Sequence, residues 1–161
     1  MSRRLLRDYG SLLGLLLIGA VLGLLSDRFL TTSNLINVAR QVSINAIVAA
    51  GMTIVIITGG IDLSVGSTIA LAGCAALLVA QPAGDLVGMT AGILVAAGVG
   101  FLNGALVAWG RVPPFITTLA TMTVVRGAAL VLTNGEPIVK TEGPYLWLGQ
   151  ASVGPIPVPI L

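Results

Sequence analysis

The chain has 161 residues, of which 56% are hydrophobic and only 9% charged, with a mean hydropathy of +1.04. A soluble domain carries roughly 25% charged residues to cover its surface, so this composition excludes an ordinary water-soluble domain and leaves lipid as the solvent. The net charge of +2 forms no basic stripe for a nucleic-acid partner, and a chain with no His and a single Cys74 excludes an internal disulfide and argues against zinc or haem sites.

Arg3, Arg4 and Arg7 open the chain and are followed by an apolar run over residues 11–25. A basic stretch before an apolar one also describes a secretory signal. Here no A-x-A-like ending closes the run, and Ser26-Asp27-Arg28 follow it. An uncleaved first span is therefore expected, with its basic flank in the cytoplasm. Four more apolar spans are predicted over 42–58, 63–80, 86–109 and 115–133. No charged residue falls between Asp8 and Asp27, Arg40 and Asp62, Asp62 and Asp85, or Asp85 and Arg111. Each gap suits the roughly 17–25 residues of a membrane-crossing helix. The runs are too long and too little alternating for barrel strands, so the expected fold is all-α, a polytopic transmembrane helix bundle.

Turn chemistry separates the spans at Thr58-Gly59-Gly60, Gln81-Pro82-Ala83-Gly84-Asp85 and Gly110-Arg111-Val112-Pro113-Pro114. Residues 134–155 hold Glu136, Lys140, Glu142, Tyr145 and Trp147 among several Gly and Pro, and are expected to form an aqueous loop with interfacial aromatics. Residues 156–161 look like the opening of a sixth span. A cytoplasmic N-terminus places Arg111 inside and the 134–155 loop outside. No G-x-x-x-x-G-K-[ST] loop occurs, so ATP is not bound through a P-loop. No catalytic residue, metal or cofactor is expected.

The most informative stretch is Ile57-Thr58-Gly59-Gly60-Ile61-Asp62-Leu63-Ser64-Val65-Gly66-Ser67. A helix stop is followed at once by a helix start. Gly59 or Gly60 suits the left-handed closure of one helix. Asp62 suits the N-terminal cap of the next, its carboxylate complementing the positive helix end. The two flanking helices are together too long for one span, so they are expected to fold back as an antiparallel hairpin with Asp62 near its tip. On physics alone this is also what a tight turn, capped for stability, looks like.

This stretch closely resembles the signature of permeases in ribose/xylose-type ABC sugar importers, a group related to branched-chain amino-acid permeases. Arg40-Gln41-Val42-Ser43, Leu102-Asn103-Gly104, Pro113 to Leu119, Arg126-Gly127 and Gly135-Glu136-Pro137-Ile138 extend the resemblance over nearly the whole chain. The resemblance implies a pore subunit in the bacterial inner membrane that works as a pair with a second permease copy. It implies two further partners, a periplasmic sugar-binding protein that delivers the solute and a cytoplasmic ABC ATPase that supplies power. Such permeases are much longer, so the chain is expected to be the N-terminal half of one. Gly59, Gly60, Asp62, Ser64, Asn103 and Arg126 are the candidates for the transport pathway or its gating.

Other features divide between function and packing. Small residues recur every fourth position at Gly84, Gly88, Gly92, Ala96, Gly100, Gly104 and Ala108, spacing that lets membrane helices approach closely. Internal packing is the preferred reading, with a subunit interface as the other. Arg126 lies inside its span, where an ionisable residue is a functional candidate, or else snorkels to the outer headgroups. It is a partner for Asp62 only if the hairpin tip is re-entrant. Asn45 and Asn103 are amides within spans that can bridge helices or face a hydrophilic solute, with bridging the preferred reading. Thr117, Thr118, Thr121 and Thr123 are read as bonding their own helix carbonyls. A branched-chain amino-acid permease, an ion-coupled secondary transporter and a non-transporting membrane subunit are the rival functions. Asp62 alone is available as an ion carrier, which weighs against the second.

Overall fold

The computed structural model describes the backbone of residues 2–140, 143–154 and 156–160, and the side chains of these except 2–8, 146 and 160. Five long helices run in chain order: α1 (Ser2–Leu25), α2 (Thr32–Ile57), α3 (Val65–Ala83), α4 (Asp85–Ala108) and α5 (Pro114–Leu132). A short helix α6 (Pro144–Gln150), strands β1 (Ser152–Val153) and β2 (Ile156–Pro157), and a 3-10 turn over Val158–Ile160 complete the described chain. Helices α2 to α5 are each long and apolar enough to cross a membrane, and α1 contributes a shorter apolar stretch, Tyr9–Leu25. This is an all-α polytopic bundle.

Its burial pattern is that of a protein solvated by lipid. Leu, Ile and Val crowd the exterior, Leu24, Ile57 and Leu86 among them, and α2 buries no residue. The interior of the α3–α4–α5 trio is small or polar: Ala76, Ala80, Val125 and Ala129 beside Ser64, Ser67, Asn103, Thr117, Thr118 and Thr121. Without a hydrophobic force between helices, close backbone approach and hydrogen bonds hold them together. Gly88 and Gly92 carry that approach. A Cβ at Gly92 would stand 2.9 Å from both the Ala72 carbonyl oxygen and the Ala76 Cβ, and one at Gly88 would stand 2.6 Å from the Ala80 Cβ. At Gly88 and Gly92 the small-residue stripe is internal packing. Its other half, Gly100 and Gly104, faces open space.

The helix ends follow their sequences. Thr31 caps α2, its hydroxyl accepting from the Asn34 N–H at 3.4 Å, which starts the helix ten residues before the expected span at 42. At the other end Gly59 takes φ 78°, with Gly59 N–H donating to Ile56 O and Gly60 N–H to Val55 O. These paired bonds form a Schellman closure. Helix α5 ends the same way, with Asn134 at φ 52° in the left-handed position and Gly135 N–H donating to Leu130 O.

Three expectations change. Helices α2 and α3 do not form a side-by-side pair: α3 packs on α4 and α5, while α2 packs on β2 and the 3-10 turn. Seven residues separate α2 from α3, and such a connection reaches up to roughly 23 Å when extended, beyond the 8–10 Å of packed helices. The 134–155 segment is not wholly loop, since α6 starts there with Pro144 in its first turn, where a missing N–H costs nothing. Residues 156–160 form a strand and a 3-10 turn in place of an opening α-helix. Pro155, Pro157 and Pro159 each lack the N–H that an α-helix needs; Pro155 and Leu161 lie outside the described residues.

Candidate functional site

At the break between α2 and α3, polar side chains from several helices converge on irregular backbone. Asp62 does not cap α3 as expected. Its Oδ1 accepts the Ser64 N–H at 2.7 Å and the Ser64 hydroxyl at 2.6 Å, closing a local turn around the residue that precedes the helix. Ser64 is fully buried. Its Oγ also accepts from the Asn103 side-chain amide on α4 at 2.9 Å, so an amide, a hydroxyl and a carboxylate form a directed ladder whose members polarise one another. The Thr118 hydroxyl on α5 is shared between Ile61 O at 3.0 Å and Pro114 O, one turn back on its own helix. Ser67 Oγ donates to Ser64 O at 2.8 Å.

This geometry recesses the break. Asn103 stands five residues before the end of α4, and Thr118 four residues after the start of α5. At 1.5 Å per residue, the segment they hold lies roughly 6–8 Å inside those helix ends. Beside it opens a cavity of about 290 Å³ lined by Thr58, Gly60, Asp62, Asn103 and Thr118 with apolar neighbours. Gly100 and Gly104 form part of its wall, and their missing side chains keep it open.

Of the six residues singled out, Gly60, Asp62 and Asn103 line this cavity, Ser64 lies buried between the last two, and Gly59 closes the helix that leads into it. Arg126 is elsewhere. It is exposed on α5, eight residues beyond Thr118, and lines a second cavity of about 510 Å³ with Ser67, Cys74, Thr133 and Glu136. Among the described residues no ion pair joins it to Asp62, because eight helical residues separate their levels by roughly 12 Å. Asn45 is exposed on α2.

Three sets of contacts carry no mark in the sequence. Thr118 bonds its own helix as expected, yet it also holds the Ile61 carbonyl of the break. A Thr four residues after Pro114 carries no sequence mark of that second partner. At the opposite end of the trio, Lys140 forms an ion pair with Asp85, stands 5.1 Å over the Tyr145 ring, and Tyr145 donates to the carbonyls of Ala76 and Asp85. Arg40 on α2 donates to Gln150 O at the C-terminus of α6 at 2.9 Å, a cation placed at the negative helix end.

The family described as branched-chain amino acid transport system / permease component matches residues 34–151. The chain belongs to that permease family. It is 43% identical over 160 residues to the ribose import permease protein of Escherichia coli strain K12, covering 96% of this chain and 50% of that protein. It is 40% identical over 159 residues to the ribose import permease protein of Bacillus subtilis strain 168, covering 97% and 49%. The D-allose transport system permease protein of Escherichia coli strain K12 is 37% identical over 156 residues, covering 95% and 48%. This permease chain thus spans about half the length of the curated relatives it matches. No solved structure matches it. The matched residues include all but the first two residues of α2, the break that follows it, and α3 to α5.

Proposed function

We propose that this permease chain is the membrane component of a bacterial importer that passes a monosaccharide such as ribose across the inner membrane. The observation that carries the reading is the 43% identity to a ribose import permease protein over 96% of the chain. The recessed polar break supports it. A carboxylate, a buried hydroxyl and a buried amide inside an apolar bundle suit hydroxylated solutes, and a chain without a nucleotide-binding loop draws its energy from elsewhere.

The partners are a cytoplasmic ABC ATPase, a periplasmic sugar-binding protein and a second permease copy. With the N-terminal arginines in the cytoplasm, the α4–α5 connection carrying Arg111 faces the ATPase side. The segment from Glu136 to Gln150 then faces the periplasm and the binding protein. Hydrolysis and solute delivery shift the populations of inward- and outward-open states.

Uptake by proteoliposomes that hold the permease, ATPase and binding protein tests this reading. Labelled D-ribose should accumulate only with ATP and binding protein present. The family description names branched-chain amino acids, so labelled leucine is the control. Accumulation of leucine and not ribose would move the chain to the amino-acid branch.

A further inference from the structure

The Asp62–Ser64–Asn103 ladder has a consequence for the cavity beside it. Ser64 has one hydroxyl proton, and it goes to Asp62 Oδ1 at 2.6 Å. Its Oγ therefore meets Asn103 as an acceptor, which sets the amide with its NH2 toward Ser64 and its carbonyl oxygen on the far side. That oxygen, Asn103 Oδ1, is buried on a residue only 7% exposed and accepts no hydrogen bond from any described residue. The Asp62 carboxylate uses only Oδ1 in its bonds to Ser64. Asn103 Oδ1 thus sits within the cavity wall without a donor from the described residues, a costly state for a buried acceptor, while Asp62 lines the cavity beside it.

We propose that this cavity binds a neutral polyhydroxylated solute, with one hydroxyl donating to Asn103 Oδ1 and another to Asp62 Oδ2. The inference rests on the sugar-permease reading above and names the atoms that hold the solute. Val55, Ile61 and Val107 on the cavity wall supply apolar contact for the C–H faces of such a molecule. The volume of about 290 Å³ is near the lower end of small-molecule sites, roughly 300–1,000 Å³. A neutral donor suits the site better than a cation. Two donors from Ser64 already meet the carboxylate, and α3 and α5 both begin beside it, bringing positive helix ends. Thr118 is already engaged with Ile61 and Pro114. The acceptors thus confer no preference for one sugar over another, as befits a conduit that releases what it binds.

The test is protection of a cysteine in the cavity wall. Gly104→Cys in a Cys74→Ala background, in nanodiscs, is reacted with a water-soluble thiol reagent while D-ribose is titrated. Labelling should slow in a saturable way, by roughly tenfold when ribose stands about ten times above its Kd. Asn103→Leu should weaken that protection by roughly three- to tenfold, the worth of one hydrogen bond. Gly100→Val, which fills the cavity and leaves the ladder intact, should abolish it even if Asn103→Leu fails to fold. Ribose uptake in proteoliposomes without any protection overturns this inference and leaves the proposed function standing. Protection by NaCl or choline chloride equal to that by ribose overturns the neutral-solute assignment. Absence of both uptake and protection removes the function and the inference together.

Discussion

Asn103 on α4 and Ser64 at the head of α3, 39 residues apart in the chain, meet through a buried 2.9 Å hydrogen bond. That bond joins the two most closely packed helices to the polar break and leaves the Asn103 carbonyl oxygen facing away from Ser64. Both residues lie within a trio whose remaining interior is small or of modest size: alanine, glycine, valine, threonine and Ser67.

Ser64→Ala removes the middle of the ladder. The Asn103 NH2 and Asp62 Oδ1 each lose a buried partner, and the expected cost is about 1–2 kcal/mol, the upper range for membrane hydrogen bonds. Thermal unfolding in detergent should show a lower midpoint than wild type. Ser64→Cys, a weak donor of similar size, should fall between the two.

Gly88→Val should break the α3–α4 contact, since a side chain there meets the Ala80 Cβ and α3 backbone. A rigid backbone cannot yield as a flexible side chain does, so loss of folded protein in size-exclusion profiles is expected. Gly98→Val on the same helix meets nothing within 4 Å and should elute normally.

The left-handed positions can be told apart by residue type. Gly59→Ala puts a Cβ at φ 78° and should cost about 1–2 kcal/mol. Asn134→Gly at φ 52° removes that penalty and should be neutral or slightly stabilising. Chemical denaturation monitored by Trp fluorescence separates these outcomes.

Asp62 and Arg126 should behave as independent sites. The ladder and the second cavity lie on different levels of α5, so Asp62→Ala and Arg126→Ala should add within about 0.5 kcal/mol. A double mutant clearly milder than the sum would reveal a pairing that these positions do not support.

The Asp85–Lys140 pair is partly buried, at 20% and 28% exposure. Its coupling energy in a double-mutant cycle should be about 1 kcal/mol or less and should shrink as salt is raised. Tyr145→Phe should loosen the same segment independently of salt, because it removes the hydroxyl that donates to Ala76 and Asp85.

Sequence alone determined the solvent, the helical class and the position of the break. Charge-free stretches and 9% charged residues report on each segment's own surroundings, and Gly59-Gly60 stops a helix wherever that helix packs. Only the tertiary structure decided that α2 leaves α3 after the break, that Asn103 and not Arg126 reaches the Asp62 turn, and that Thr118 holds Ile61. These contacts join residues 39 and 57 positions apart. They depend on helix register, which Gly88 and Gly92 set by closest approach. The stripe from Gly84 to Ala108 offers several such registers with the same spacing, so the pattern marks a packing face without naming its partner or the side chains that packing brings together.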